Sequence, residues 1–235
     1  MDMSAPIEAI LFDKDGTLYD FNATWGAWTM GLLEEVAEGD PVLVEALAEV
    51  LGYDTERKRF RKGSPVIAEP AGEVAALMLP FLPPQPLSAL VERMNDLAAL
   101  APQVEVCDLR ALLEGFAADG LALGIATNDA AAPARAHLAA SGIVEAFDFI
   151  AGADSGHGAK PGPGQLHAFC AATGRRAGAC VMVGDSSHDM LAGRQAGMTC
   201  VAVLTGPAER ADLAPLADVV LESVADLPAW VRAQG

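Results

Sequence analysis

The sequence predicts an α/β fold, a doubly wound parallel sheet that carries an inserted all-helical domain. Short apolar runs recur in two separated parts of the 235-residue chain, and helical patterns lie between the later runs. Over a hundred residues separate the first run from the second, far more than a single crossover helix needs. With 52% hydrophobic residues, the chain can bury a full core and still carry a second, smaller domain.

The strands are predicted from runs that are rich in Val, Ile and Phe and apolar almost throughout. Near-continuous apolarity is typical of parallel strands that helices cover on both faces. The runs lie at residues 7–12, 121–126, 147–151, 180–183, 200–204 and 218–221.

Helices are predicted between these runs, and their ends coincide with glycine, which favours the left-handed backbone of a helix C-terminus. The helices span 131–140, 165–173 and 187–196, and the glycines are Gly142, Gly174 and Gly197.

An inserted domain is predicted at residues 19–104, so that the core comprises residues 1–18 and 105–235. The insertion has a helical pattern interrupted by prolines and shows no strand alternation. Two linkers, near 16–22 and 101–108, would join it to the core.

Charge and cysteine content exclude several classes of protein. The formal net charge of −17 argues against a nucleic-acid partner, because phosphate backbones bind clustered cations. Four widely spaced cysteines suggest neither a zinc site nor a disulfide framework. The N-terminus lacks the pattern of a secretory signal, and no apolar stretch approaches the roughly 20 residues that span a bilayer. We therefore expect a cytoplasmic protein without a membrane partner, either a monomer or a homodimer.

Polar residues directly after the apolar runs are the candidates for chemistry, because ligands bind at the C-terminal ends of strands in open α/β sheets. Each group alone has a simpler interpretation as a turn, a helix cap or a solvated lysine. The groups are Asp13-Lys14-Asp15-Gly16-Thr17, then Thr127-Asn128-Asp129, then Lys160 after a glycine-rich loop, and last Gly184-Asp185-Ser186-Ser187-His188-Asp189.

Taken together and in this order, the groups resemble the haloacid dehalogenase superfamily of hydrolases, whose motifs are DxDGT, Thr/Ser, Lys and GDxxxD. The resemblance covers the whole predicted core. The insertion after the first motif resembles the C1 cap of that superfamily, and the phosphoglycolate-phosphatase-like enzymes are the most similar subgroup. The resemblance implies a phosphatase that acts on a small phosphorylated metabolite.

The implied chemistry fits these residue types. Asp13 would attack phosphorus to give an aspartyl-phosphate, and Asp15 would serve as general acid and then as general base. The resemblance implies that Mg²⁺ is held by the carboxylates of Asp13 and Asp185 and the backbone carbonyl of Asp15.

Three further residues complete the predicted catalytic set. Thr127 and the backbone N–H of Asn128 would bind phosphoryl oxygens, and Lys160 would balance charge on Asp13. Asp189 would orient Lys160 or a metal-bound water.

The remaining substrate contacts are predicted on weaker signals. Thr17 completes the first motif, and His157 is flanked by glycines shortly before Lys160. The cationic run at 57–62 is either a solvated helix face or a source of substrate contacts through Arg59 and Arg61. His188 is interpreted as a helix-surface residue, and Trp25 and Trp28 as core of the insertion.

Other functions remain open at this stage. A dehalogenase would share the nucleophile but lacks an acid at the position of Asp15, by family resemblance. A phosphomutase would use the same core and differ in how the cap excludes water. A receiver-type signalling module also surrounds a phosphorylated aspartate with acids, Thr/Ser and Lys, but it is about half as long and bears its acceptor on a later strand. A catalytically dead homologue would be expected to have lost one of the four motifs.

Overall fold

A six-stranded parallel sheet forms the centre of the molecule in the computed structural model, which describes residues 6–234. Residues 1–5, on which the absence of a secretory signal is partly argued, lie outside the described residues. All six predicted runs form strands, each within two residues of its predicted bounds. The strands are β1 (Ala9–Phe12), β4 (Ala122–Ala126), β5 (Phe149–Ala151), β6 (Cys180–Gly184), β7 (Thr199–Val203) and β8 (Val219–Leu221).

The strand order, β5-β4-β1-β6-β7-β8, puts β1 where the chain changes direction across the sheet. The chain runs from β1 outward through β4 and β5, and then returns to the other side of β1 with β6. A topological switch point of this kind opens a crevice at the carboxyl edge of the sheet. Phe12, the last residue of β1, pairs with Ile125 and with Val183, so the three central strands end at almost the same level.

Helices cover both faces of the sheet. The three helices predicted around it are confirmed, and Gly174 and Gly197 adopt the left-handed backbone at two of their C-terminal ends. The helices are α1 (Phe21–Val36), α2 (Pro41–Val50), α3 (Ala71–Met78), α4 (Leu87–Ala98), α5 (Leu109–Ala118), α6 (Ala131–Ala140), α7 (Gly164–Thr173), α8 (Ser187–Ala196), α9 (Arg210–Leu213) and α10 (Leu227–Arg232).

Successive residues of β1 pack on opposite faces, which explains why this strand is apolar throughout. Ile10 and Phe12 belong to one cluster with residues of α5 and α10. Ala9 and Leu11 belong to a second cluster with residues of α7 and α8. Because helices cover both faces, neither face of β1 can be polar.

The insertion is not entirely helical, contrary to the prediction. Two short strands, β2 (Tyr53–Asp54) and β3 (Arg59–Phe60), form an antiparallel ribbon. Strands of two residues are too short to produce an alternating pattern. The rings of Tyr53 and Phe60 pack 5.3 Å apart, centroid to centroid, and join the apolar cluster of the insertion. The cationic run at 57–62 therefore lies in the turn and second strand of this ribbon and is not a helix face.

The two connections between sheet and insertion run side by side. The amide of Asp20 donates to the carbonyl of Val104 at 2.8 Å, and the amide of Val106 donates to that of Leu18 at 3.0 Å. Both predicted linkers include these residues. The insertion has its own apolar cluster, drawn from residues 28–97. The division at residues 18/19 and 104/105 stays a prediction.

No helix within residues 6–234 is long and apolar enough to cross a membrane.

The close contact between β4 and α7 gives a test of the core packing. A Cβ on Gly124 would lie 2.7 Å from ring atoms of Phe169 and 2.9 Å from Leu11. We expect Gly124→Ala to lower the free energy of unfolding by about 1–3 kcal/mol, as overpacking does. Chemical denaturation measures this, and Phe169→Leu should offset part of the loss when the two changes are combined. Additive effects of the two substitutions would contradict the contact.

Candidate active site

Three polar side chains project from the carboxyl ends of the three central strands. Asp13 follows β1, Thr127 follows β4 and Asp185 follows β6, and all three are buried. The amide of Asp13 donates to the carbonyl of Val183 at 2.8 Å, which fixes the backbone where the strand ends. The register of the sheet therefore brings together the polar groups that the sequence predicted at this edge.

Lys160 lies between two buried carboxylates. Its Nζ donates to Asp13 Oδ1 at 2.7 Å and to Asp189 Oδ1 at 2.6 Å. Burial works to lower the pKa of Lys160, but the carboxylates of Asp13 and Asp189 outweigh it, so the pKa is raised. For Asp13, burial raises the pKa to about 7 although the charge of Lys160 opposes this. The ionised form of Asp13 thus depends on the cations near it.

Asp189 is fixed by the start of α8. Its Oδ2 accepts hydrogen bonds from the hydroxyl of Ser186 at 2.6 Å and from the amide of Ser186 at 3.0 Å, and its own amide donates to the hydroxyl oxygen of Ser186 at 3.3 Å. The two bonds donated by backbone amides form a capping box. A Cβ on Gly184 would overlap the Asp189 carboxyl group, so a larger residue would displace it. With both oxygens engaged by protein groups, Asp189 is suited to orienting Lys160.

Asp185 has a different environment and is the best candidate, together with Asp13, for holding a metal ion. Single oxygens of Asp13, Asp185 and Asp189 lie within 4.8 Å of one another. Burial, followed by the carboxylates of Asp13 and Asp189, raises the pKa of Asp185 well above its usual range. A divalent cation would offset this repulsion, and oxygen ligands are those that Mg²⁺ prefers. The donor set therefore fits the metal that the sequence predicted.

Two glycines allow the backbone to lie directly against the carboxyl group of Asp185. A Cβ on Gly16, which has a φ of 79°, or on Gly206 would overlap the Asp185 carboxyl group. The hydroxyl of Thr205 donates to the carbonyl of Gly16 at 2.6 Å and joins the two loops. Sequence reasoning missed Gly206, whose signal was only its position after a predicted strand.

A second buried lysine, Lys14, neutralises the other acidic pair. Its Nζ lies 2.7 Å from Asp15 Oδ1 and 3.5 Å from Asp129 Oδ2. Burial acts against the charge of Lys14, but the carboxylates of Asp15 and Asp129 outweigh it and raise the pKa of Lys14. Burial also raises the pKa of Asp129 to about 6, with the lysine opposing. The sequence analysis assigned no role to Lys14.

His137 completes the surroundings of Lys14. The ammonium of Lys14 lies 3.0 Å from His137 Nδ1, and His137 Nε2 lies 2.7 Å from the carbonyl of Ala98. The two contacts require Nδ1 as acceptor and Nε2 as donor, which is the neutral tautomer. Burial and the charge of Lys14 lower the pKa of His137 to about 4. The ring of Trp25 lies 5.5 Å from the ammonium.

Asn128 connects three parts of the molecule through its side chain. Its Nδ2 donates to the carbonyl of Ala68 at 2.7 Å and to that of Lys160 at 2.8 Å, while its Oδ1 accepts from the amide of Lys160 at 2.8 Å. Ala68 belongs to the insertion, so this residue joins the insertion to the sheet edge. The prediction considered only the backbone amide of Asn128.

A cavity lies between the sheet edge and the insertion. The sheet contributes the polar groups described above, and the insertion contributes an almost entirely apolar wall. Glu69, Asn95, Ser186 and His188 add polar groups around it. The apolar lining residues are Phe21, Trp25, Trp28, Val66, Ile67, Ala68, Ala71, Val74, Met94 and Ala98.

Three residues interpreted as structural from the sequence line this cavity. His188 faces it, although it was interpreted as a helix-surface residue. Trp25 and Trp28 also line it, with ring centroids 4.9 Å apart and planes at 88°. Their spacing along α1 could not distinguish core from cavity wall.

Four predicted substrate contacts lie elsewhere, so their positions do not support that role. Thr17 is fully buried and does not line the cavity. Arg59 is exposed beside Asp20, and Arg61 is paired with Glu49 at 2.6 Å. The exposed ring of His157 packs near Phe149. The predictions for these side chains rested on composition and nearness in sequence, which do not determine where a side chain points.

Comparisons with known proteins agree with this geometry. A model of the haloacid dehalogenase-like hydrolase family matches residues 7–197. The phosphoglycolate phosphatase of Caulobacter vibrioides is 30% identical over 222 residues, 93% of this chain and 88% of that protein. The "Probable phosphatase IndB" of Dickeya dadantii is 28% identical over 84% of this chain and 81% of that protein. The crystal structure of "a predicted phosphoglycolate phosphatase" from Haemophilus somnus has a TM-score of 0.76 at 18% identity and covers 97% of this chain and 99% of that one, which shows the fold alone.

The buried neutral His137 predicts a pH-dependent stability. Because its folded pKa of about 4 is below the ordinary value, the stability it contributes is lost as pH falls from about 6.5 towards 4. Glutamine can make the same two contacts without titrating. Between pH 7 and pH 5, we expect wild type to lose about 2 kcal/mol more unfolding free energy than His137→Gln. Urea unfolding at the two pH values measures this difference.

His167→Gln, which changes an exposed histidine on α7, is the matched control and should follow the wild type. An identical pH dependence in wild type and His137→Gln would contradict the buried neutral state.

Proposed function

The chain belongs to the haloacid dehalogenase-like hydrolase family, and from that membership we propose that it is a magnesium-dependent phosphatase with Asp13 as its nucleophile. The observation that carries the proposal is the arrangement of Asp13 beside both Lys160 and Asp185 at the carboxyl edge of the sheet. A carboxylate at the end of β1, with a buried ammonium group and an oxygen-rich cation site beside it, matches what phosphoryl transfer requires.

The first half of the reaction forms an acyl phosphate, which is a mixed anhydride, on Asp13. One carboxylate oxygen of Asp13 attacks phosphorus while the bond from phosphorus to the leaving oxygen breaks. Oδ1 is hydrogen-bonded to Lys160, which leaves Oδ2 for the attack. Asp15 gives a proton to the leaving alcohol, and its other oxygen is held by Lys14 at 2.7 Å. Thr127 and the backbone amide of Asn128 bind phosphoryl oxygens.

The second half hydrolyses the aspartyl-phosphate. Asp15, now ionised, takes a proton from water as the water attacks phosphorus, and the Asp13 carboxylate leaves. Inorganic phosphate is the second product. Lys160 remains between Asp13 and Asp189 and stabilises the carboxylate that is regenerated.

A bound Mg²⁺ would neutralise negative charge on the phosphoryl group when that group approaches the carboxylates. The residues that would hold it are Asp13 and Asp185 through their carboxylates and, by family resemblance, Asp15 through its backbone carbonyl. Burial of Asp13 and Asp185 supports this assignment, because two buried carboxylates that repel one another need a cation.

The receiver-type alternative fits less well. Asp13 and Asp15 both follow β1, and the insertion covers them. A small phosphomonoester is the proposed substrate, and the names of the relatives make phosphoglycolate the first compound to test. We propose a cytoplasmic location, to which the four free cysteines are suited.

Hydrolysis of 4-nitrophenyl phosphate tests the central assignment. We expect phosphate release in the presence of Mg²⁺, loss of activity with excess EDTA, and recovery when Mg²⁺ is restored. Asp13→Asn should lower kcat at least about thousandfold, because the amide cannot form the aspartyl-phosphate. The matched control Asp119→Asn, which removes an exposed carboxylate at the end of α5, should leave kcat unchanged.

Full activity in EDTA would remove the metal from the proposal. Transfer of the phosphoryl group to an added alcohol without phosphate release would indicate a mutase.

The role of Asp15 is tested by separating the two half-reactions. With Asp15→Asn and 4-nitrophenyl phosphate, whose leaving group needs no proton, we expect a rapid burst of about one equivalent of nitrophenolate and then slow turnover. With an alkyl phosphate the burst should be absent, because general acid catalysis contributes about 10²–10⁴-fold. Rapid-mixing spectrophotometry and phosphate assays measure the two cases. Equal slowing of the first step for both esters would remove the acid role from Asp15.

A further inference from the structure

The lining of the cavity differs sharply between its two sides. The sheet edge supplies charged and polar groups, most of which the proposed reaction at phosphorus already uses. Asp129, Ser186 and His188 line the cavity but take no direct part in that reaction. The insertion supplies the side that the leaving alcohol would meet, and seven apolar side chains larger than alanine dominate it: Phe21, Trp25, Trp28, Val66, Ile67, Val74 and Met94. The groups that would distinguish one phosphomonoester from another are therefore mostly apolar.

Among the described residues, the cavity has no lysine or arginine available for a negatively charged leaving group. Lys160 is its only lysine or arginine, and the Lys160 ammonium is shared by Asp13 and Asp189. Lys14 is fully buried behind Asp15 and is not among the lining residues.

The cationic run at 57–62 does not supply one either. Arg61 pairs with Glu49 at 2.6 Å, and Lys62 pairs with Asp212 at 3.0 Å. Arg57 pairs with Asp54 at 3.2 Å, and Lys58 and Arg59 line a separate cleft beside Asp20. A carboxylate on the leaving group would instead face mainly indole and aliphatic surfaces and the charge of Glu69, with the amide of Asn95 and the imidazole of His188 as the nearby polar groups. Transfer of an unpaired carboxylate from water to such surroundings is costly.

We propose that the cavity selects phosphomonoesters whose leaving alcohol is uncharged and largely apolar, an aromatic ring above all. This inference rests on the proposed phosphatase activity and names its substrate class. Trp25 and Trp28 meet nearly at right angles, so they offer a ring both a flat face and an edge. The relatives named phosphoglycolate phosphatases act, by that name, on an ester whose leaving alcohol carries a carboxylate. This chain would differ from them on the insertion side of the site.

A matched pair of esters tests the effect of a negative charge on the leaving alcohol. Benzyl phosphate and 4-carboxybenzyl phosphate have leaving alcohols of similar reactivity, because the carboxylate lies across the ring from the reacting oxygen. We expect the wild-type enzyme to have a kcat/KM at least tenfold higher for benzyl phosphate, and higher for benzyl phosphate than for phosphoglycolate. Equal values for the matched pair, or a preference for the carboxylate, would overturn the proposal.

A lysine in the wall should change the preference. We expect Val66→Lys to shift the ratio of the two kcat/KM values at least tenfold towards 4-carboxybenzyl phosphate. Val42→Lys is the matched control, since Val42 lies on α2 of the same insertion, is 77% exposed and does not line the cavity. Val42→Lys should keep the wild-type ratio. If Val66→Lys is folded by circular dichroism and keeps that ratio too, the wall does not contact the leaving group and the proposal fails.

Acetyl phosphate, whose leaving group is too small to span the cavity, separates this inference from the proposed function. If the enzyme hydrolyses acetyl phosphate but shows no preference for benzyl phosphate over 4-carboxybenzyl phosphate, the proposed phosphatase activity stands and the apolar site is overturned. Absence of hydrolysis for all of these phosphorylated compounds would overturn the proposed phosphatase activity. In that case calorimetry with benzylphosphonate and its 4-carboxy analogue decides the inference, since at least tenfold tighter binding of the uncharged compound is expected and equal binding contradicts it. If Val66→Lys does not fold, the wild-type ratio alone decides.

Discussion

Charge compensation at the carboxyl edge of the sheet is the constraint on which the rest of the structure depends. Five aspartates converge there, and two buried lysines are each shared by two of them. Lys160 serves Asp13 and Asp189, and Lys14 serves Asp15 and Asp129. Asp185 is the fifth, and it has no lysine of its own among these pairs. Buried carboxylates without partners are unfavourable by several kcal/mol, so a divalent cation bound beside Asp185 would offset the one carboxylate that no lysine pairs with. The strongly acidic chain makes local cations all the more necessary.

The backbone approaches these carboxyl groups so closely that three positions have no room for a side chain, and glycine occupies them. Gly16 and Gly206 approach the Asp185 carboxyl group from two loops, and Gly184 approaches that of Asp189. A side chain at any of these positions would occupy the volume of a carboxyl group. The functional groups are therefore held by the sheet register, by the capping box of α8 and by close backbone contact, with little freedom left to the side chains.

Much of the fold and the polar half of the site could be predicted because their signals are local. Strands covered on both faces must be apolar throughout, and the residues after them must converge at one edge. The β2–β3 ribbon was missed because two-residue strands carry no period. The cavity wall was missed for a different reason: whether Trp25 packs inward or lines a cavity depends on how α1 lies over the sheet, which no local pattern encodes. Arg59 and Arg61 were expected at the site because they are cations. In the structure, Arg59 lies beside Asp20 and Arg61 pairs with Glu49, and both of these acids belong to the insertion itself.

The two halves of the site are linked through the surroundings of Lys14. The sheet side supplies Asp15 and Asp129, whereas the insertion supplies the ring of Trp25 and the carbonyl of Ala98, which fixes the tautomer of His137. Burial of the lysine therefore requires the insertion to cover it, and burial is what makes each charge pair strong. If the insertion were displaced, water would reach Lys14 and weaken its ion pair with Asp15.

Asn128 makes the same connection at the other lysine, because it bonds to Ala68 of the insertion and to Lys160 of the sheet edge. Both acid–lysine groups thus depend on the insertion, which also forms the apolar wall of the cavity, so that wall and the charges at the sheet edge belong to one packed arrangement.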